Sequence, residues 1–518
     1  MIERLISFLL KRRRFPLPML IYGVEAASVH SAKMIDADSN SDYRVAGFIA
    51  PSLDIPHRKI AGKPVYFKDN FYNNIRKFHA VKAILIRPEA LSRTEKQQLA
   101  EICFPHKIKL MAVSPQKWKR KNILEIKPVH IEDLLCHNPI EMDFETIGAN
   151  LKGKKILITG AAGSVGSEIV YQLCRFDPDL LLLCDIAETP LHELGLDLKN
   201  RFPDARFQTI IADVRNRDKM EHVFSVHRPH YVYHAAAYKH VPMLESHPDE
   251  AVLTNVMGSK IVADMAVAYD TECFVMISSD KAVNPSSVMG ASKRIAEIYI
   301  QALSGRLQKE SKVQPLPLRF ITTRFGNVLG SSGSVVPLFE KQIRDGGAVT
   351  VTDPRMIRYF MTIREACSLV LEAGNLGKGG EIFIFDMGDP VEIKNMAETM
   401  IRLSGYKPYE EIDIQYTGLR PGEKLFEELL YDKEICKPTD NRKIRMVTVC
   451  EQDIHKVSPL LDQLFEVSRS CNNREVVKIM KQIVPEFKNL DDKRNGLTEP
   501  PPVPPKYATQ TPAHKDTE

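Results

Sequence analysis

The sequence predicts an α/β fold with two doubly wound parallel sheets, the second of which carries a smaller C-terminal lobe. Short β-rich runs alternate with stretches of helical length from about residue 18, and the alternation starts again, more clearly, at Lys155. Beyond Gln342 the runs become shorter and less regular, which predicts the lobe. A chain of 518 residues is long enough for two or three such cores.

The composition is that of an ordinary globular protein, with 44% hydrophobic and 26% charged residues. A net charge of +5 is small for this length, so we expect no nucleic-acid partner. The nine cysteines form no CxxC pair and show no metal-like spacing with histidine. We therefore expect no metal site, no disulfide framework and a reducing, cytoplasmic location.

Residues 1–17 form a basic N-terminal segment, in which the apolar run Leu5 to Leu10 precedes the cluster Lys11 to Arg14. We find no apolar run near the roughly 18 to 20 residues that a membrane-spanning helix needs. Such a cluster can rest peripherally on the anionic inner face of a membrane, or it can simply be solvated.

The first α/β region, residues 18–130, is predicted to be Rossmann-like, with strands at Met19–Tyr22, Val45–Ile49 and Ala83–Ile86. A dinucleotide fold places three glycines in the turn after its first strand. Here that turn, Gly23 to Ser28, keeps only the first of them. We predict a degenerate domain without tight dinucleotide binding, serving packing or regulation.

The remaining segments are predicted as a connector at 131–152, a second α/β domain at 153–445, a helical extension at 446–495 and a Pro-rich disordered tail at 496–518. The strands that we predict in the second domain are Ile156–Thr159, Leu180–Cys184, Thr209–Ile211, Tyr231–Tyr233, Phe274–Ile277 and Phe320–Thr323.

A glycine-rich turn follows the first strand of the second domain, with Gly160, Gly163 and Gly166 in a TGxxGxxG spacing. Such a turn lets backbone N–H groups and a helix N-terminus hold a pyrophosphate. Asp185 ends the next strand, where a carboxylate accepts from ribose hydroxyls and repels a 2′-phosphate, so NAD is preferred to NADP. Asp213 and Val214 end the third strand, at the expected position of the adenine.

The TGxxGxxG spacing resembles the extended short-chain dehydrogenase/reductase superfamily, as does the small-residue turn Ala235-Ala236-Ala237. The segments 234–245, 279–285, 288–294 and 324–330 narrow the resemblance to the CapD-like polysaccharide-biosynthesis family of nucleotide-sugar 4,6-dehydratases. The resemblance covers most of residues 18–445. The complete set expected to bind NAD is Gly160, Gly163, Ser164, Val165, Gly166, Asp185, Asp213, Val214, Ala235, Ala236, Ala237, Asn255 and Lys293.

A 4,6-dehydratase oxidises C4 of the sugar so that the C5 proton becomes acidic, eliminates water from C5 and C6, and returns the hydride to C6. The resemblance implies that Lys281 takes the C5 proton and that Asp280 protonates the departing hydroxyl. These roles need a neutral lysine and a protonated aspartate, and therefore shifted pKa values.

The same resemblance places Lys293 at the lysine of the superfamily's YxxxK motif, where its ammonium would hold the nicotinamide ribose. The tyrosine position, however, is Met289, and a thioether cannot relay a proton. The base for the C4 hydroxyl would then be Asp280 or a water held by Ser278 or Ser279.

The resemblance further assigns the nucleotide sugar, most specifically UDP-N-acetylglucosamine, to residues beyond the catalytic set. Arginines can bind diphosphate oxygens bidentately, and a glutamate can meet the nucleoside ribose. The expected substrate-binding residues, which would make the C-terminal lobe a substrate-binding lobe, are Lys239, Asn327, Arg358, Arg420 and Glu423.

Two other functions stay open at this stage. One is a 4-epimerase or reductase of the same superfamily, which Met289 disfavours because those reactions commonly use the tyrosine. The other is a non-catalytic sensor of NAD or nucleotide sugar, motivated by the degenerate first domain. We also expect a homo-oligomer.

Overall fold

The computed structural model describes residues 16–51, 58–113, 126–135, 142–310, 318–428, 435–448 and 452–488. The basic N-terminal cluster and the Pro-rich tail lie outside these residues. Within them the predicted α/β class is confirmed, with two large sheets built mainly from parallel strands.

The first sheet has seven strands in the order β3-β4-β2-β1-β5-β6-β7. Its central strands are parallel, whereas the short outer strands β3 and β7 run antiparallel to their neighbours. The strands are β1 (Leu17–Tyr22), β2 (Tyr43–Ala50), β3 (Lys59–Ile60), β4 (Lys63–Phe67), β5 (Ala83–Ile86), β6 (Lys109–Val113) and β7 (Ile126–Pro128).

Fifteen further strands follow in the described part of the chain. They are β8 (Lys155–Thr159), β9 (Leu180–Asp185), β10 (Phe207–Ile211), β11 (Tyr231–His234), β12 (Cys273–Ile277), β13 (Arg319–Arg324), β14 (Asn327–Leu329), β15 (Val349–Val351), β16 (Ile357–Arg358), β17 (Phe360–Thr362), β18 (Glu381–Phe385), β19 (Val391–Glu392), β20 (Ile414–Tyr416), β21 (Ile435–Pro438) and β22 (Ile444–Thr448).

The second sheet has nine strands in the order β10-β9-β8-β11-β12-β13-β18-β22-β21. It is parallel from β10 to β18, and β22 and β21 close one edge in antiparallel pairing. Each strand predicted in this domain is present and is extended by one or two residues. Three two-stranded pairs, β14·β17, β15·β20 and β16·β19, build the smaller lobe.

Helices lie on both faces of the second sheet. They and the helices of the first region are α1 (Ala26–Ala37), α2 (Lys68–Asn73), α3 (Arg93–Cys103), α4 (Ile131–Leu135), α5 (Phe144–Leu151), α6 (Ser164–Leu173), α7 (Glu188–Arg201), α8 (Arg217–His227), α9 (Val241–Ser246), α10 (Pro248–Ala251), α11 (Ser259–Ala268), α12 (Val288–Glu310), α13 (Val335–Arg344), α14 (Ile363–Leu376), α15 (Ile393–Leu403), α16 (Ile454–Arg469) and α17 (Asn473–Ile483).

The alternation of side chains along β8 explains why both faces are covered. Leu157 packs into the apolar cluster beneath α8, α11 and α12, whereas Ile156 and Ile158 pack into the cluster beneath α6, α7 and α14. A strand that is apolar on both faces is stable only when helices cover both. The parallel strands therefore end together at one edge, where their loops form the site.

A π-helical segment, Val252–Gly258, joins α10 to α11 and makes one continuous helix from Pro248 to Ala268. By length and composition alone this helix could cross a membrane. It is not an unbroken apolar run, because it contains Asp249, Glu250, Lys260 and Asp264. About two thirds of its apolar window is buried in the fold, where α16 and α17 pack against it.

The first sheet and the smaller lobe share one apolar cluster, which passes through α4. Ile131 and Leu134 of this helix are buried together with Phe339 and Met396 of the lobe. The segment predicted as a mere connector thus contains two helices, α4 and α5, and the first of them fastens the first sheet to the lobe.

Candidate functional site

The glycine-rich turn between β8 and α6 is shaped by close backbone contacts. Gly160 has a φ of +67°, and a Cβ there would lie 2.6 Å from the backbone nitrogen of Ala236. A Cβ on Gly166 would lie 2.0 Å from the carbonyl oxygen of Gly160. Both positions therefore require glycine, and the turn brings the N-terminus of α6 to the edge of an open cleft.

This cleft has a volume of about 380 Å³ and lies at the carboxyl ends of β8, β9 and β11. Asp185 stands in it at the end of β9, its two carboxylate oxygens accepting from the backbone N–H groups of Ala162 and Ala187 at 2.9 Å each. The cleft is lined by these predicted cofactor residues: Gly160, Gly163, Asp185, Asp213, Val214, Ala235, Ala236 and Ala237.

Five more predicted cofactor residues, one of which is Lys293 on α12, do not line the cleft directly. Ser164, Val165 and Gly166 form the first turn of α6. Asn255 is fully buried and holds the turn after β11, with its side-chain amide accepting from the N–H of Tyr238 at 2.8 Å and donating to the carbonyl of Tyr238 at 3.0 Å. Asn255 therefore shapes the wall of the cleft from behind.

Asp213 is paired within the protein. Its carboxylate accepts from the Arg215 side chain at 2.9 Å, and Arg215 in turn contacts Glu250 at 2.8 Å. Burial would raise the pKa of Asp213, but its hydrogen bonds with Arg215 hold that pKa below its usual value. The residue is thus a fixed anion at the rim of the cleft.

The predicted catalytic pair, Asp280 and Lys281, lies where β12 ends, in the short 3₁₀ turn Asp280–Ala282. The Lys281 Nζ donates to Asp280 Oδ1 at 3.0 Å and to Asn327 Oδ1 at 3.2 Å. Ser279 Oγ donates to the same aspartate oxygen at 2.9 Å. Asp280 is only 1% exposed, and its Oδ2 has no hydrogen-bond partner among the described residues.

The packing of α12 against this turn fixes its position. A Cβ on Gly290 would lie 2.2 Å from the carbonyl oxygen of Lys281, so only glycine allows the helix to come this close. Burial raises the pKa of Asp280, and Glu427 raises it further. For Lys281, burial lowers the pKa, but the carboxylates of Asp280 and Glu427 outweigh burial and raise it.

Lys293 and Met289 both lie in the buried first part of α12. The Lys293 Nζ donates to the carbonyl oxygen of Ile277 at 2.9 Å, and burial lowers its pKa to about 8. Met289 is 4% exposed and belongs to the apolar cluster beneath α12. Ser278 donates to the buried carboxylate of Glu297 at 2.6 Å, which leaves Ser279 as the serine hydrogen-bonded to Asp280.

A second cavity of about 270 Å³ opens beside Lys281, between the sheet and the smaller lobe. The structure brings all five predicted substrate residues to its wall, although they are separated by up to 184 positions in the sequence. They are Lys239, Asn327, Arg358, Arg420 and Glu423.

The guanidinium of Arg358 is already bound within the protein, so it is not free to bind a phosphate. Its guanidinium donates to the backbone carbonyls of Ile357, Lys424 and Leu425 at 2.6 to 2.9 Å. It also lies 3.8 Å from Glu423 and so organises the loop that carries the other substrate residues. Arg420, at the start of that loop, is exposed and has a guanidinium available to the cavity.

Two site residues were not found from the sequence. Ser332 lines the cofactor cleft, and its N–H donates to Ser164 Oγ at 3.1 Å, so a loop of the lobe reaches the glycine-rich turn. Glu427 is 7% exposed, lines the second cavity and lies 3.6 Å from Lys281 Nζ. Its only sequence signal was its position shortly after the Arg-Pro-Gly-Glu-Lys motif.

Comparison with protein families gives a match to residues 156–449, described as polysaccharide biosynthesis protein. The matched range contains the Asp280–Ala282 turn and both cavities.

Two curated proteins are similar over much of the chain. The capsular polysaccharide biosynthesis protein CapD of Staphylococcus aureus is 46% identical over 365 residues, covering 70% of this chain and 59% of that protein. The probable polysaccharide biosynthesis protein EpsC of Bacillus subtilis (strain 168) is 50% identical over 312 residues, covering 60% and 50%. The matched part of the chain thus spans between half and three fifths of these relatives.

Among solved structures, Pen from Bacillus thuringiensis aligns with a TM-score of 0.53 and 32% identity. The alignment covers 58% of this chain and 92% of that one.

Proposed function

The chain belongs to the polysaccharide biosynthesis protein family, and from that premise we propose that it is an NAD-dependent nucleotide-sugar 4,6-dehydratase acting on UDP-N-acetylglucosamine. One observation carries the proposal. A buried carboxylate and a lysine, Asp280 and Lys281, are hydrogen-bonded to each other beside a cavity lined by residues suited to a diphosphate and a sugar.

The cofactor is NAD, and the cleft suits it. The space that a Cβ on Gly160 or Gly166 would fill is kept clear, the N-terminus of α6 supplies N–H groups for the pyrophosphate, and Asp185 supplies the carboxylate for the adenosine ribose. Bound there, NAD would supply the hydride acceptor for C4 and the hydride donor for C6. Lys293 would hold the nicotinamide ribose, and Asn255 holds the wall of the cleft.

Elimination needs a neutral Lys281 and a protonated Asp280, and the hydrogen bond between the two side chains can supply both. Moving one proton across the 3.0 Å hydrogen bond converts the ion pair into a neutral amine and a carboxylic acid, with no change in total charge. Lys281 then takes the C5 proton while Asp280 gives its proton to O6, which leaves as water. The ion pair is restored by the same step.

The substrate cavity orients the sugar nucleotide against this pair. Arg420 binds the diphosphate, Glu423 the nucleoside ribose, and Lys239 and Asn327 the sugar. Arg358 keeps the loop of Arg420 and Glu423 in place through its three carbonyl contacts. Met289 packs in the core, so the C4 hydroxyl passes its proton to a water held by Ser279 or to Asp280. In the second case Lys281 releases its own proton to solvent before it takes the C5 proton.

The test is NMR of the product formed in D₂O from UDP-N-acetylglucosamine and a panel of other nucleotide sugars by the NAD-loaded protein. We expect a 4-keto-6-deoxy sugar with solvent deuterium at C5. A sugar with inverted C4 and an intact C6 hydroxyl would identify an epimerase instead. Tight binding with no change in any substrate would identify a sensor.

A further inference from the structure

Glu427 is a buried carboxylate beside Lys281. It has no role in the dehydration steps proposed for Asp280 and Lys281. It comes from the loop after Arg420, more than 140 residues from the catalytic turn, yet it lies 3.6 Å from Lys281 Nζ and 3.7 Å from Arg358 Nε. Its Oε2 has no hydrogen-bond partner among the described residues.

We propose that Glu427 is a positioning residue, which holds the Lys281 amine in the substrate cavity and controls the protonation of the Asp280–Lys281 pair. This deepens the proposed dehydratase function and rests on it for the identity of the reaction. The geometry makes Glu427 the third corner of a triangle around Lys281 Nζ, with Asp280 at 3.0 Å and Asn327 at 3.2 Å as the other two.

Glu427 lies on the same loop as the proposed substrate residues Arg420 and Glu423. The contact between Glu427 and Lys281 therefore connects this loop to the catalytic pair. Arg358 fastens this loop by donating to the carbonyls of Lys424 and Leu425, and it also pairs with Glu427. Lys281 therefore has its full set of contacts only when the loop is seated. Binding of a diphosphate by Arg420 on the same loop would stabilise the seated state and so order the amine that takes the C5 proton.

The negative charge of Glu427 raises the pKa of both Asp280 and Lys281. The charged groups that face Lys281 are Asp280, Glu427 and Arg358, and those that face Glu427 are Lys281, Arg358 and Lys424. Burial raises the pKa of Glu427, but these three cations outweigh burial and lower it, so Glu427 stays an anion. An anion raises the pKa of every neighbour, and it does so for both Asp280 and Lys281.

The direct test measures the ionisation of Lys281 without using the reaction. The NAD-loaded full chain is labelled with trace acetic anhydride between pH 7 and 12, and acetylation of Lys281 is quantified by peptide mass spectrometry. In Glu427→Gln the labelling midpoint should fall by about one pH unit or more. The matched control is Glu428→Gln, whose carboxylate contacts Asn284 and Lys424 and does not line the cavity. It should leave the midpoint unchanged.

The second test is the pH profile of turnover. The reactive form, with protonated Asp280 and neutral Lys281, is populated only between the two apparent pKa values of the pair, so activity falls on either side. Removing the Glu427 charge should move both limbs to lower pH and reduce kcat roughly tenfold or more, with little change in KM. Glu427→Asp, which keeps the charge, should return the limbs towards those of the wild type.

An equal Lys281 labelling midpoint in wild type and Glu427→Gln would overturn the proposal, as would a shift of the same size in Glu427→Asp. Absence of a 4-keto-6-deoxy product from the wild type would contradict the dehydratase function but would leave the labelling result intact. The two failures are therefore separable. If Glu427→Gln does not fold, as judged by circular dichroism, Glu427→Ala, which also removes the charge, takes its place in the labelling test.

Discussion

Each large sheet has a turn between its first strand and the following helix. This turn is open in the second sheet and is occupied by a carboxylate in the first. After β8, Gly160 and Gly166 keep the space before the helix N-terminus clear. After β1, Gly23 also has a left-handed conformation, with a φ of +105°, but the carboxylate of Glu25 lies 2.6 Å from where its Cβ would be. Glu25 is bound by Arg87 and accepts from Ser28 at 2.8 Å.

A Rossmann-like topology supplies a possible anion site at the N-terminus of the first helix. The side chains of the preceding turn decide whether this site stays open. A helix N-terminus favours a negative charge, and Glu25 provides one from within the chain. The first sheet therefore has its anion built in, whereas the second leaves the position to a ligand. The first sheet instead contributes packing, since α4 joins its core to that of the smaller lobe.

The largest expected effect concerns the proposed chemistry, which we assign to the second sheet. Lys281→Met keeps the length and apolar stem of the side chain but removes the amine that we propose takes the C5 proton. Turnover should fall by roughly 10²- to 10⁴-fold, whereas NAD should remain bound. Product NMR and the absorbance of NAD released on denaturation measure both. Unchanged turnover would remove Lys281 from the mechanism.

The comparison itself is tested by placing the same substitution in both turns. Gly160→Ala adds a Cβ against the backbone of Ala236 in a left-handed conformation that costs about 1–2 kcal/mol, so NAD affinity should fall by roughly tenfold or more. Gly23→Ala carries a similar backbone strain but should leave NAD affinity unchanged. Isothermal titration calorimetry with NAD compares the two. A similar loss in both variants would mean that the first sheet takes part in cofactor binding.

A moderate effect is expected from pH, through Lys293. Burial lowers the pKa of this lysine to about 8, so its ammonium is present below that pH and is lost as the pH rises through it. If the ammonium holds the nicotinamide ribose, NAD affinity should decline between pH 7 and 9. Lys293→Met should bind NAD more weakly and show no such decline. An identical pH dependence in both proteins would place the titrating group elsewhere.

The smallest effect is expected where the first sheet carries its own anion. Glu25→Gln weakens a partly exposed pair with Arg87, whose side chains are 44% and 26% exposed, so the free energy of unfolding should change by no more than about 1 kcal/mol. Turnover and NAD affinity should stay at wild-type values. Chemical denaturation and steady-state assays check this, and a large loss of turnover would show that the first turn is coupled to the reaction.

Nine parallel strands of the two large sheets and the glycine-rich turn could be predicted because their signals are local, whereas the parallel strands β4, β6 and β18 were not predicted. Apolar runs such as Ile156–Thr159 are bounded by turn residues, and Gly160 to Gly166 follow directly. The antiparallel edge strands β3, β7, β21 and β22 were missed because they are short and are stabilised by pairing with a neighbour rather than by their own pattern.

The candidate site likewise contains residues that a local sequence motif identifies and residues that only the fold brings together. Asp280 and Lys281 are adjacent in the sequence, and their motif identified them together. Glu427 and Ser332 join the site only because the lobe folds back over the sheet, and no local pattern marks a contact across more than 140 residues. The internal carbonyl contacts of Arg358 were equally hidden, since a sequence shows the guanidinium but not what occupies it.

Transient oxidation at C4 is tested with UDP-N-acetylglucosamine that carries deuterium at C4. We expect a 4-keto-6-deoxy product with that deuterium at C6, because the hydride removed from C4 returns there. Deuterium that remains at C4, or a 6-deoxy product with no deuterium at C6, would contradict it.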